Sequence, residues 1–183
     1  NNEQNRYFEA MREIRIKRKG VERHFQNAVA QLFANPPRSG SVAADESLAN
    51  QTSPDSLSLV GDDDLEEQVA LNAMITKSKV HFQGPLLQLQ SRFSVVYPGA
   101  SEEIPVNPMA PEHLCSAFVE AIQALEIQIR ERLILLKQFD RYVVSNLGML
   151  LDEANRILIQ AGVIPNFRYH GKAGKQHDPS APG

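Results

Sequence analysis

The chain has 183 residues, a net charge of −3, 42% hydrophobic and 22% charged residues, no Trp, and a single cysteine. The charge gives no case for a nucleic-acid partner, the one thiol excludes an internal disulfide, and no apolar run approaches the length of a membrane span, so neither nucleic acid nor membrane is expected as a partner. A cytoplasmic chain of one or two domains with an aliphatic core is expected.

The first segment, Asn5 to Asn35, reads as a helix. Tyr7, Met11, Ile14, Val21, Phe25, Val29 and Leu32 recur at helical spacing on one stripe, broken at Arg18 and weakened at Gly20. Asn35-Pro36-Pro37 ends it, because proline disfavours helical geometry at the preceding residue. Arg12, Arg15, Lys17, Arg18, Lys19 and Arg23 make the segment basic, interleaved with Glu9, Glu13 and Glu22. Such alternation marks a solvated or coiled-coil face, and Arg12, Arg15 and Arg18 are the interaction candidates on it.

Residues 36–56 are rich in Ser, Ala and Pro without a helical stripe, and read as a flexible tether. The first helix is then free to pack on the body or on another chain. Leu57, Leu59 and Val60 form a short apolar patch that could dock on the body. Asp62, Asp63 and Asp64 follow. Either of the first two can cap the next helix, and the rest complement its positive end. The DxDxDG spacing of a calcium loop is absent, so no metal is assigned.

Asp63 to Val96 has heptad-like apolar spacing, interrupted at Gly84-Pro85, where a kink or split is expected. A proline-rich loop follows from Tyr97, with Val106 and Met109 as anchors, and the next helix opens at Pro111. Cys115 lies on its apolar side. His113 is two residues away and faces elsewhere on a helix, so Cys115 reads as structural. Glu126 to Gln128 reads as a turn, and Ile129 to Gly162 as one long helix with a wide apolar stripe. Lys137, Asp140 and Arg141 form a charged patch on it, expected as a local ion pair at i, i+3 or i+4 spacing. Phe167 and Tyr169 are placed to fold back on the bundle, and residues 168–183 read as a disordered tail.

Three strings, LSLVGDDDLEEQVALNAMI, NPMAPEHLCSAFVEAIQAL and RLILLKQFDRYVVSNLGMLLDEANRILIQAGVIP, resemble the N-terminal part of a large uncharacterised proteobacterial family. Leu57 to Glu67, Asn107 to Phe118 and Lys137 to Arg141 match its motifs, with Gly61 and Gln138 as departures. Some members carry a thymidine phosphorylase label, but no glycine-rich phosphate loop accompanies it here. Others suggest a link to cyclic-di-GMP signalling, yet Arg141 has no Arg at i+4 to begin a PilZ-type pair.

The reading is therefore an all-α chain: an N-terminal basic helix (1–35), a tether (36–56), a bundle of long antiparallel helices (57–167) and a tail. A non-catalytic regulatory or scaffold domain is expected, binding a protein partner or itself in bacterial signalling, with no cofactor. The alternative is a sensor that takes a nucleotide second messenger between Arg12, Arg15 and Arg132.

Overall fold

The computed structural model describes residues 2–38, 61–97 and 106–167, and these carry helices and no β-strand. The all-α reading holds. Helix α1 spans Asn2–Ala34, α2 Asp62–His81, α3 Gln83–Val96, α4 Pro111–Ile122, α5 Ile129–Tyr142 and α6 Leu147–Gln160, with a 3-10 turn at Val144–Asn146 between the last two. The patch Leu57, Leu59 and Val60, most of the tether and the tail lie outside the described residues. No described helix is long and apolar enough to cross a membrane.

Two helical runs are each split, the first close to the expected interruption and the second where a continuous helix was expected, and the reasons are local. The run from Asp63 to Val96 breaks at Phe82 (φ −105, ψ 23) rather than at Gly84-Pro85. Starting α3 at Gln83 puts Pro85 in the first helical turn, where its missing N–H has no intrahelical partner to lose. The run from Ile129 breaks after Tyr142. There the Asn146 side chain donates to the carbonyls of Arg141 (3.0 Å) and Tyr142 (3.2 Å), which satisfies groups that the end of α5 leaves open. The helices are consequently shorter than the periodicity suggested; only α1, with 33 residues, is long.

The start of α2 also differs from expectation. Gly61 is the N-cap, in extended geometry, and neither Asp62 nor Asp63 makes a capping bond. All three aspartates fall inside the first turn, where the helix dipole favours them. At the far end of the chain, Gly162 takes φ +79 and stops α6 as its residue type predicts.

The core is assembled by pairing α1 with α4, α2 with α4 and α5, and α3 with α6. Leu89, Cys115, Val144 and Leu151 are fully buried at its centre. Phe118 of α4 stacks on Phe139 of α5 at 4.0 Å between ring centroids. Phe25 of α1 meets both rings edge-on, at 6.3 and 5.8 Å. Each such pair adds about 0.5–1.5 kcal/mol beyond its buried area. Of the two arrangements open to the first helix, the structure shows α1 on the body of its own chain. Its end is pinned as well: Tyr97 Oη donates to the Phe33 carbonyl (3.0 Å), and the Val106 N–H to that of Pro37 (2.7 Å).

Candidate functional site

Helix α1 sorts its charges by the face they occupy. On the inner side, Arg6 Nε donates to the buried Glu131 carboxylate (2.9 Å), and Arg130 to Glu3 (3.0 Å). Lys17 Nζ donates to the Ala124 carbonyl (2.9 Å) and pairs with Glu13 (2.6 Å) and Glu126 (3.5 Å). Glu13 in turn accepts the Glu126 N–H (3.1 Å). The Lys17 hydrogen bond holds Glu13 below the ordinary carboxylate range, and the same contact raises Lys17. Further along, His24 Nε2 lies 3.2 Å from Glu120. These contacts tie α1 to the corner between α4 and α5.

The outer side is different. Of the three arginines expected there, Arg18 is occupied by Glu22 (2.7 Å), one turn on. Arg12 and Arg15 are exposed without an ion pair or hydrogen bond among the described residues, as are Lys19 and Arg23. The spacing 12, 15, 19, 23 draws these four cations along one stripe. Phe8 (63% exposed), Met11 (58%) and Ile16 (67%) lie beside them. Arg132, the third residue of the expected nucleotide site, is paired with Glu67 of α2 (3.4 Å) and lines a cleft with acidic Asp63 and Asp64.

The patch Lys137, Asp140 and Arg141 is rearranged relative to expectation. Asp140 pairs across helices with Lys77 of α2 (2.5 Å), not with its i−3 neighbour Lys137. Ser145 Oγ adds a longer donation to Asp140 (3.4 Å). Lys137 is exposed at the rim of a cleft of about 340 Å³ that Lys77, Met74 and Asp140 also line. Arg141 is exposed, its guanidinium 5.4 Å from the Tyr142 ring. On the other side of Lys77 a cleft of about 310 Å³ is lined by Ser78, His81 and Val144.

Nucleophile chemistry finds no support at Cys115. It is fully buried, and burial pushes its thiol up to about 12. Desolvation lowers His113 from the ordinary histidine range, and its buried Nε2 has no hydrogen-bond partner among the described residues. It borders a cleft of about 540 Å³ between α1 and α4, whose polar groups include His24, Gln31 and Glu120. Among the described residues no three His, Cys, Asp or Glu side chains are grouped to hold a metal.

Arg92 is the buried charge that periodicity did not single out. It is 1% exposed and donates to the Val163 (3.2 Å) and Ile164 (3.1 Å) carbonyls, to Gln88 Oε1 (3.2 Å) and to Asn155 Oδ1 (2.5 Å). Asn155 passes the network on to the Pro85 carbonyl (3.1 Å). Phe167 covers the guanidinium at 5.8 Å, folding back as expected. The available signal was Arg92 sitting between Leu89 and Phe93 on the buried stripe of α3.

Residues 1–162 match the family model described as the N-terminal domain of a protein of unknown function, DUF1631. The chain belongs to this family. No curated protein and no solved structure matches it. The DUF1631 match begins before α1 and ends two residues after α6, so α1 lies inside the family domain together with the helices it packs on.

Proposed function

We infer that this DUF1631 N-terminal domain is a protein-interaction module, regulatory or scaffolding in character, acting in the bacterial cytoplasm without a catalytic step of its own. One observation carries the reading. The inner charges of α1 are consumed in contacts within the chain, whereas Arg12, Arg15, Lys19 and Arg23 remain exposed and unpaired beside Phe8, Met11 and Ile16. A solvent-facing helix needs charge but not three large apolar side chains in the same strip. Mixed basic and apolar faces of this kind suit the apolar and acidic side of another helix. The neutral, deeply buried Cys115 thiol and the self-paired Lys77–Asp140 carboxylate favour structural over chemical roles for the reactive residue types.

A photo-crosslinking residue in place of Ile16, in the full chain, tests the reading in lysate of the source bacterium. Protein adducts that vanish when Arg12 and Lys19 are changed to Glu are expected. Irradiation that yields no protein adduct at this position would dispose of it.

A further inference from the structure

The outer stripe of α1 has a complement on the same molecule. Helix α2 also leaves one side uncovered: Leu65 (57% exposed), Val69 (61%) and Val80 (72%) follow at helical spacing. At its start, Asp62 and Glu66 share that side and are exposed, with no ion pair or hydrogen-bonding side chain among the described residues, whereas Asp63 and Asp64 line the cleft that holds Arg132. One helix thus presents cations with interleaved apolar residues, and the other presents carboxylates with interleaved apolar residues. From Arg12 to Arg23 the cationic stripe is about 17 Å long, and from Asp62 to Val69 the acidic and apolar stripe is about 11 Å. Both are straight lines on helix surfaces, the shape that packs side by side.

We propose that the outer face of α1 docks on the exposed face of α2 in a second copy of this chain. The proposal rests on the interaction reading above and names the partner. Charge complementarity selects this occupant. A lipid surface would need a broader apolar face, and α1 has turned its other side to α4. A nucleic acid would gain nothing from Ile16 and Met11. Lys77 and Lys79, further along α2, are tied to Asp140 and Glu112 and so leave the acidic start as the dominant charge of that face.

The contact is small. Counting the apolar residues at their ends, Phe8 to Arg23 and Leu65 to Val80, each stripe is about 22 Å long; at about 10 Å wide it covers about 220 Å² on each side, so a twofold pair with two such contacts buries about 900 Å² in total, below the usual range for specific interfaces. Association is therefore concentration-dependent and falls with salt, which screens exposed charges.

The test uses the full chain in sedimentation velocity. One variant carries Arg12→Glu, Arg15→Glu and Lys19→Glu; another carries Asp62→Lys and Glu66→Lys. Wild type is expected to self-associate with rising concentration and to dissociate in salt, and each variant alone to stay monomeric. Mixing the two variants restores the pair, because reversed α1 then meets reversed α2. This restoration shows that both are folded. Circular dichroism matching wild type provides a second control. Wild type that remains monomeric at every concentration overturns the proposal, as does a variant that associates like wild type or a mixture of folded variants that stays monomeric. The Ile16 crosslinker separates the two readings. In purified chain an adduct mapped to residues 62–80 of a second copy supports both. Adducts only with foreign proteins in lysate overturn the second-copy partner and leave the interaction module standing.

Discussion

Arg92 donates to four neutral acceptors and has no carboxylate among the partners that hold it. A buried guanidinium in this position is tolerated because its hydrogen bonds are made, and removing it leaves the buried Asn155 Oδ1 and two part-buried carbonyls without this donor. Arg92→Met is therefore expected to lower the unfolding free energy by about 2–4 kcal/mol, read from urea denaturation. Arg156→Met, which loses only an exposed, solvent-screened pair with Glu153, should leave it nearly unchanged. Cys115 yields a prediction with a definite sign. Its thiol pKa is raised from 9.0 in the unfolded chain to about 12 in the fold. The stability tied to the neutral thiol is fully present below pH 9 and is lost as pH rises toward 12, because only the unfolded chain ionises in that window. Cys115→Ala should remove this part of the alkaline decline, measured as the difference between the two unfolding free energies across that window. In native conditions the wild-type thiol should react with a thiol reagent only at the rate of local opening.

At the scale of helices, the break between α2 and α3 and the start of α6 form one joint. A Cβ added to Gly148 would come within 3.0 Å of Phe82 Cε1, and Phe82 is buried at the break itself. Alanine is worth about 1 kcal/mol over glycine inside a helix, but here the ring has to move within a packed core. Gly148→Ala is expected to destabilise by about 1–2 kcal/mol net, whereas Gly20→Ala, whose Cβ meets nothing within 4 Å, should stabilise. Thermal or urea unfolding of the two variants shows the opposite signs. The α1 contact is likewise a matter of specific rings. Phe25→Ala removes both edge contacts and is expected to cost about 2–3 kcal/mol, below the full core value because Phe25 is half-buried.

For the molecule as a whole, α1 is part of the folded body and not an appendage. Removing residues 1–35 takes away the ring that covers Phe118 and Phe139 and leaves Glu131, 4% exposed, without Arg6. Both losses destabilise the body, since apolar rings are exposed to water and the Glu131 carboxylate loses its charged partner. A chain beginning at Pro36 should therefore unfold at lower urea concentration with a broader transition. Unchanged unfolding would show that α1 contributes nothing to the body.

Sequence by itself determined the class of this fold and most of its helices. Periods of three and four residues, Pro111 at a helix start, Gly162 at a helix end and the buried character of Cys115 all follow from local propensity and patterning, which need no partner to be read. The three clustered acids at the start of α2 were also legible as dipole partners, though the cap itself fell to Gly61. Tertiary structure decided the rest. That the first break falls at Phe82, two residues before the interruption expected at Gly84-Pro85, and that a second falls at Val143 depends on what each ring and carbonyl finds across the core, which an apolar stripe does not disclose. Asp140 chose Lys77, 63 residues away, over Lys137 on its own helix, because packing α2 against α5 brings the distant ammonium to the carboxylate. The same holds for α1. Its sequence lists the cations, but only packing against α4 and α5 separates those consumed at the inner face from Arg12, Arg15, Lys19 and Arg23, which stay exposed.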